Sequence, residues 1–392
     1  MFASRWMPSV LAATHMLTLG FMMEVMLGAL IQMLPVVAGA NLAKPLLLAR
    51  IVHGGLTLGV LLLAAGFLFG IPFLLSMSAT LLVITVLIFL GACLRALWGV
   101  PSTSPTIRGL KLALLGLAGV VGLGGLMALA LAQGWALNLP VLTDLHAGWG
   151  LGGWAGILLA AVAYVVVPMF QLTPGYPAQP SWWFPVVLLG LLLLWSVAVI
   201  VDWPLLVRLC QGVAAIAGIG FAGLTLRLQG KRRRARADAT YRYWQMGLWS
   251  CIFALFMLLT AALIPEITQM SGWTLAFGIL LLPGGFLAFI SGMLYKIVPF
   301  LSWLHLQNFG QAKVPAPNMN KILPESDMQR QMQAYALAVL LLLGAVFFPD
   351  WLARVAGVCF AVANAWLFFN LLSAIRRYRH HMVEITKKLA VP

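Results

Sequence analysis

The residues of this chain whose types could do chemistry lie inside long apolar stretches. The segment THMLTLGFMMEVMLGALIQMLP starts at Thr14 and carries His15 and Glu24. A second histidine, His146, opens a comparable stretch later in the chain. Imidazole nitrogens bind haem iron and transition metals, and a buried carboxyl group can relay protons. A membrane helix tolerates such groups only where a partner, an ion or a polar cavity satisfies them.

The composition predicts that these residues lie on transmembrane helices. Of 392 residues, 62% are hydrophobic and 8% are charged, and the mean hydropathy is +1.01. Eleven apolar runs are long enough to cross a hydrocarbon core about 30 Å thick. The runs are 9–36, 48–70, 73–95, 107–133, 142–169, 182–201, 204–228, 243–264, 272–297, 332–349 and 351–375. We therefore predict an all-α, polytopic transmembrane helical bundle in a lipid bilayer, with the first run retained because it is too long for a signal peptide.

The basic residues predict the orientation of this bundle. With eleven helices, 21 of the 24 Lys and Arg residues fall on the side of the C-terminus, and only Arg5, Arg208 and Arg354 fall on the other. This bias places the N-terminus outside and the C-terminus in the cytoplasm. The net charge of +15 is not assigned to nucleic acid, because the run KRRRAR at 231–236 fits an anchor near anionic lipid. The predicted location is the inner membrane of a bacterium.

Three helices share a pattern that runs from glycine to proline. The copies are GFMMEVMLGALIQMLP at 20–35, GWAGILLAAVAYVVVP at 153–168 and GGFLAFISGMLYKIVP at 284–299. They begin 133 and 131 residues apart and fall in the first, fifth and ninth helices. The pattern predicts three arcs of about four helices around a pseudo-threefold axis within a single membrane domain, 1–392. The predicted divisions are pseudo-repeats at roughly 9–140, 141–270 and 271–375, and a cytoplasmic tail at 376–392.

This organisation resembles subunit I of the haem–copper oxidase superfamily, which includes nitric oxide reductases and, more distantly, NnrS proteins. HMLTLGF…GALIQMLPVVAG resembles the family helix that bears a low-spin haem ligand, so the resemblance makes His15 a haem ligand. DLHAGWGLGGW…VPMF (144–170) and GMLYKIVPFLSWLH (292–305) resemble the equivalent helices of the next two arcs. The resemblance implies bound haem or copper and a role in respiratory or nitric-oxide-related metabolism.

The chain departs from the family where the oxygen-reducing centre would be built. The last of these family helices supplies histidines to both haems, but SGWTLAFGILLLPGGFLAFISGMLYK contains none. The family places copper-binding histidines on the helix after the second arc helix, but WWFPVVLLGLLLLWSVAVIV contains none. The position that matches His15 is Gly148 in the second copy, two residues after His146, and Ile279 in the third. We therefore do not expect an oxidase, and the sequence leaves open whether the protein is an enzyme.

His15 and His146 are the predicted ligands for haem or copper, as one shared site or two. His15 is expected about 9 Å below the outer face, at about 1.5 Å per helical residue. The alternative for His15 is a hydrogen bond to a backbone carbonyl or to a neighbouring Ser or Thr. His53 enters from the opposite face and is expected more than about 10 Å from His15 in depth at the same rise per residue.

Glu24 is expected near the bilayer midplane, either protonated and hydrogen-bonded or part of a path for protons or ions. Gln32, Tyr164 and Tyr295 would continue such a path. Two other classes of function therefore stay open. One is a transporter or channel without a cofactor, and the other is an assembly factor or accessory subunit docked to a respiratory complex or to further copies of this chain.

Overall fold

The computed structural model describes residues 4–233, 236–311 and 313–389. All regular secondary structure within these ranges is helical. Arg234 and Ala235 of the basic run lie outside the described residues, as do the last three residues of the predicted tail. Two short helical segments, Pro265–Gln269 and Met319–Ile322, connect longer helices.

Eleven helices in the described ranges are long and apolar enough to cross a membrane. From α1 to α11 they are Pro8–Ala38, Pro45–Phe69, Pro72–Leu97, Pro105–Gln133, Leu139–Gln171, Ala178–Ile200, Pro204–Gly230, Ala239–Leu263, Trp273–Phe309, Glu325–Phe347 and Pro349–Leu389. The predicted number of spans is confirmed. The chain is therefore a multi-pass helical membrane protein.

Proline and glycine set many of the helix ends. Proline occupies an N-terminal position of the helix, where a missing N–H is not needed, at Pro8, Pro45, Pro72, Pro105 and Pro204. A glycine in the left-handed conformation follows the ends of α1, α2 and α4, at Gly39, Gly70 and Gly134. A side chain would be strained there, so these glycines stop the helices efficiently.

Two helices extend well beyond their apolar runs. The prediction for α9 ended at residue 297, whereas the helix continues to Phe309. The prediction for α11 ended at residue 375, whereas the helix continues to Leu389 and includes the described part of the predicted tail. In α11 the extension is rich in Arg and Lys, which have high helix propensity and continue the helix beyond its apolar part. The extension of α9, VPFLSWLHLQNF, is largely apolar and has no such explanation.

The chain divides into two compact units. Unit 1 comprises the chain up to Arg232 together with Leu255–Ile267, and so holds α1 to α7 and the end of α8. Unit 2 comprises Arg233–Ala254 and the chain from Thr268 onward, and so holds the start of α8 and α9 to α11. The division into three pseudo-repeats stays a prediction.

Small residues let α4 and α5 pack with their backbones in contact within unit 1. A Cβ atom added at Gly116 of α4 would lie 2.1 Å from the backbone oxygen of Gly153 in α5. A Cβ atom added at Gly124, further along α4, would lie 2.9 Å from Cε1 of His146. Close packing at small residues is the usual way membrane helices associate. Here it brings the backbone of α4 next to a candidate ligand.

Within the described residues, three helices contain a π-helical segment that the sequence did not predict. The segments are Met16–Met23 in α1, Trp149–Gly156 in α5 and Leu282–Phe286 in α9. His15 directly precedes the first segment, and His146 lies three residues before the second. Such wide turns are rare and are found frequently at functional sites. In α1 and α5 they occur next to the two histidines selected from the sequence.

Candidate functional site

His15 of α1 and His146 of α5 lie beside each other in unit 1. Their ring centroids are 6.3 Å apart and the ring planes differ by 26°. His15 also lies against the ring of Phe67 from α2, at 5.4 Å between centroids. Both histidines are partly buried. Two residues that are 131 positions apart in the sequence therefore form a single pair of imidazoles.

Each imidazole is oriented by a backbone carbonyl. Nδ1 of His15 lies 2.8 Å from the oxygen of Leu11, one turn earlier in α1. Nδ1 of His146 lies 3.0 Å from the oxygen of Val120 in α4. A carbonyl oxygen only accepts hydrogen bonds, so Nδ1 carries the hydrogen in both neutral rings and Nε2 keeps its lone pair. An Nδ1–H bonded to a carbonyl is the common arrangement for a histidine that binds metal through Nε2.

The two histidine-bearing helices are tied together next to the pair. Arg5, just before α1, donates to Asp144 of α5 through Nη1 and Oδ1 at 2.8 Å. Asp144 lies two residues before His146. The Nε1–H of Trp149, three residues after His146, donates to Ser196 of α6 at 3.0 Å. These bonds connect the start of α5 with the segment before α1 and with α6.

The histidine pair fits a group that needs only two protein ligands. Metal–nitrogen bonds to histidine are about 2.0–2.1 Å long, so one ion bonded to both Nε2 atoms requires ring centroids about 5–6.5 Å apart. The observed separation of the two ring centroids, 6.3 Å, falls in that range. No cluster of three or more His, Cys, Asp or Glu side chains occurs among the described residues. Haem needs only one or two ligands from the protein, which His15 and His146 would supply, whereas structural zinc needs four protein ligands.

Glu24 has two partners, both on α2. Its Oε2 lies 3.0 Å from Nδ1 of His53, and its Oε1 accepts a hydrogen bond from Thr57 Oγ1 at 2.9 Å. The side chain of Glu24 is 16% exposed, whereas that of His53 is 75% exposed. Apolar runs give the depth of Glu24 in the membrane but not the face of the neighbouring helix that it meets, so the sequence analysis did not name these partners. A histidine and a threonine four residues apart on the next antiparallel helix were the available signal.

In the part of the chain that the structure describes, the other residues of the predicted proton or ion path, Gln32, Tyr164 and Tyr295, are not connected to Glu24 by hydrogen bonds. Gln32 is exposed, and the hydroxyl of Tyr164 is buried without a hydrogen-bond partner among the described residues. In the described part of unit 1, no hydrogen bond connects Glu24 with Gln32 or Tyr164. Tyr295 lies in unit 2 and belongs to a separate hydrogen-bond network.

Unit 2 contains a buried polar network that the sequence did not predict. Oε1 of Gln331 in α10 accepts hydrogen bonds from the hydroxyls of Tyr243 at 2.7 Å and Tyr295 at 2.9 Å. Nε2 of Gln331 donates to the backbone oxygen of Ala363 at 2.9 Å. Asn370 of α11 donates to the hydroxyl of Tyr295 at 2.9 Å. The network joins α8, α9, α10 and α11 through side chains that satisfy one another.

Comparison with known proteins adds no family to these observations. No family model matches the chain, and no curated protein matches it.

Proposed function

We propose that this chain is an integral membrane protein that binds haem, copper or both through His15 and His146. It would be a relative of haem–copper oxidase subunit I in a bacterial inner membrane, with a role in respiratory or nitric-oxide-related metabolism and without an intact oxygen-reducing centre. The observation that carries the proposal is the pair of imidazoles 6.3 Å apart, each with Nδ1 bonded to a backbone carbonyl. The sequence resemblance to the oxidase helices supports the choice of haem and copper.

The π-helical segments support the proposed threefold repeat. In α1 the segment runs from four residues before Gly20 to three after it, and in α5 it has the same register around Gly153. In α9 it runs from two residues before Gly284 to two after it. A wide turn at the same position in three helices is expected of one ancestral helix copied twice. The excess of Lys and Arg on one side supports an outside N-terminus.

The residues of the pair would hold and orient the bound group. Nε2 of His15 and Nε2 of His146 would be the ligand atoms, and the carbonyls of Leu11 and Val120 would keep both rings in the correct tautomer. A haem or copper held there would supply electron transfer or binding of a small diatomic molecule. The proposal assigns no further reaction to the site.

An absorption spectrum with metal analysis tests this proposal. The full-length protein would be expressed with supplied haem precursor and copper, purified in mild detergent and scanned for a Soret band. We expect a Soret band or stoichiometric copper in the wild-type protein, and its loss in His15→Ala and in His146→Ala. His53→Ala is the matched control, since it removes a membrane histidine outside the pair, and we expect it to keep the bound group.

Two results would contradict the proposal. One is a colourless wild-type protein without copper, although it is folded and monodisperse. The other is a bound group that survives in both His15→Ala and His146→Ala, which would place the ligands elsewhere.

A second candidate function is a path for protons or ions, and the Glu24 cluster favours it. A carboxylate bonded to an imidazole and a hydroxyl inside a membrane-spanning hairpin is a recurrent arrangement in proton relays. The test is proton flux into liposomes that contain the purified protein. We expect Glu24→Gln to abolish any flux and Glu266→Gln, an exposed acid outside the spans, to leave it unchanged. Equal flux in Glu24→Gln and wild type would remove this candidate.

The exposure of His53 favours a third candidate, an accessory subunit or homo-oligomer. Ionisable side chains in membrane spans normally face protein or a polar cavity, yet His53 is 75% exposed. A covering protein, either a respiratory subunit or a second copy, would satisfy it. Native mass spectrometry would detect that complex, and we expect His53→Leu to dissociate it. A monomer without any partner in native membranes would argue against this role.

A further inference from the structure

A cavity of about 170 Å³ lies within unit 1, where α5, α6 and α7 meet. Four aromatic side chains form part of its wall, namely Tyr164, Tyr176, Phe184 and Phe221. We call it the aromatic cavity. It is partly open to the surroundings of the bundle. Its lining residues belong to three membrane-spanning helices and to the connection between α5 and α6.

The aromatic rings of the cavity wall pack against one another. Phe221 stacks with Tyr176 at 6.2 Å and 11°, and with Phe184 at 5.1 Å and 21°. Tyr164 meets Tyr176 edge to face at 5.1 Å. Aromatic rings gain most from offset stacking and from edge-to-face contacts. A flat ring inside the cavity would lie among aromatic side chains and would make contacts of these kinds with them.

One polar group of this wall has no partner. The hydroxyl of Tyr176 lies 2.9 Å from Thr225 Oγ1 and is satisfied. The hydroxyl of Tyr164 is buried, and it has no hydrogen-bond partner among the described residues. Buried hydroxyls are nearly always paired, so an unpaired one calls for an explanation. An occupant of the cavity that carries an acceptor would provide it.

Unit 2 shows how the protein satisfies a tyrosine at the corresponding position. Tyr164 lies eleven residues after Gly153, and Tyr295 lies eleven residues after Gly284 in the matching helix. The hydroxyl of Tyr295 donates to Gln331 and accepts from Asn370, both at 2.9 Å. The protein thus supplies partners at one tyrosine of this type and leaves the other unpaired beside a cavity.

We propose that the aromatic cavity binds a flat, lipophilic ring that carries a carbonyl oxygen, and that Tyr164 donates its hydroxyl hydrogen to that oxygen. Membrane quinones are the chemical class that combines these properties with access from the bilayer. An apolar cavity of about 150 Å³ admits a benzene ring, so the aromatic cavity has room for one six-membered ring. A lipid acyl chain has no acceptor for the Tyr164 hydroxyl. This proposal does not rest on the histidine pair or on any bound metal.

Binding of duroquinone to the purified full-length protein in detergent tests the proposal. All ring carbons of duroquinone are substituted, so it does not add to the free cysteines. Gly220 lines the cavity and a Cβ atom there meets nothing within 4 Å, so Gly220→Leu adds an apolar side chain to the cavity wall at a position with space for its Cβ atom. Gly223→Leu is the matched control, on the same helix, equally open and away from the cavity lining.

We expect saturable binding that Gly220→Leu weakens at least tenfold and Gly223→Leu changes less than twofold. We also expect Tyr164→Phe to weaken binding about three- to tenfold, as loss of one hydrogen bond predicts, and Tyr295→Phe to have no effect. Durene, which has the same ring and methyl groups but no carbonyl, should bind as weakly to wild type as duroquinone binds to Tyr164→Phe.

Four results would overturn the proposal. The first is absence of saturable duroquinone binding to folded wild-type protein, and the second is equal binding to Gly220→Leu and wild type. The third is equal affinity for durene and duroquinone, which would remove the role of the carbonyl. The fourth is displacement of duroquinone by phosphatidylethanolamine as effectively as by decylubiquinone, which would identify the cavity as a site for ordinary lipid. None of these readouts depends on haem or copper, so the histidine proposal is tested separately.

Discussion

The network around Gln331 in unit 2 and the histidine pair of unit 1 use their polar groups differently. In unit 2 the hydroxyls of Tyr243 and Tyr295 meet the amide of Gln331, and each atom of the network has a partner in the protein. In unit 1 the histidine pair keeps two nitrogen lone pairs free, and the hydroxyl of Tyr164 has no described partner. A closed network stabilises a fold, whereas groups held in place with unused bonding capacity are available to a ligand. The difference agrees with the proposal that the histidine pair binds a ligand and that the network around Gln331 is structural.

The largest effect is expected where unit 1 positions its histidines through backbone contact. In Gly116→Ala the new Cβ atom would lie 2.1 Å from the oxygen of Gly153. Neither backbone can yield easily, so α4 and α5 must separate, at a cost of about 3 kcal/mol in the free energy of unfolding. Titration with denaturing detergent measures this loss. The control Gly122→Ala lies on the same helix with nothing within 4 Å of its Cβ, and it should be neutral or slightly stabilising.

Gly116→Ala also tests whether the contact serves the site. We expect the variant to lose bound haem or copper, because α4 supplies the carbonyl that orients His146. Full retention of the group together with unchanged stability would show that the backbone contact does not position the pair.

Loss of the Gln331 amide, at the centre of the network of unit 2, should lower the free energy of unfolding. Gln331→Leu removes the acceptor of two tyrosine hydroxyls and the donor to Ala363. Hydrogen bonds between membrane helices are weaker on average than expected from burial alone, so we expect a loss of about 2 kcal/mol. Gln32→Leu in unit 1 is the matched control, since Gln32 is exposed and the change should stay within about 0.5 kcal/mol. Equal effects of the two substitutions would contradict the contrast between the units.

The fold was predictable from the sequence because one quantity, local apolarity, determines where a chain crosses a bilayer. The eleven spans follow from it, and only their extensions, such as the end of α11 at Leu389, do not. The rotation of each helix about its axis is not contained in hydropathy. For that reason the pairing of Glu24 with His53 was missed, although both residues were noted individually.

The sequence predicted the two histidines of the candidate site but not the hydrogen bonds that orient them. His15 and His146 stood out because histidine is rare in an apolar run, and the structure places their rings 6.3 Å apart. The carbonyls of Leu11 and Val120 carry no sequence signal, since any residue type supplies a backbone oxygen. The π-helical turns likewise depend on packing and not on residue type. Whether the pair binds haem or copper stays a prediction.

A smaller effect on stability is expected when Tyr295 and Tyr164 lose their hydroxyls, and we expect the two changes to differ in direction. Tyr295→Phe removes the nearer of the two acceptors of Asn370 and one of the two hydroxyl donors to Gln331, so we expect a loss of about 1 kcal/mol in stability. Tyr164→Phe removes a hydroxyl that has no described partner, so in the protein without ligand we expect stability to be unchanged or to rise by up to about 1 kcal/mol. Detergent titration of both variants measures the difference. A larger loss in Tyr164→Phe than in Tyr295→Phe would reveal a partner for Tyr164 within the protein.

The smallest effect concerns the ion pair that joins α5 to the segment before α1. Arg5 and Asp144 are 37% and 52% exposed, so solvent screens their attraction and we expect Arg5→Ala to reduce stability by no more than about 0.5 kcal/mol. A double-mutant cycle with Asp144→Ala isolates the pair. At about 1 M salt, where charges are screened within about 3 Å, the coupling should vanish, whereas the effect of Gln331→Leu should persist because its partners are buried and uncharged. A coupling that survives at high salt would mean that the pair is shielded from solvent, and that unit 1 closes its polar contacts on this side as tightly as unit 2 does.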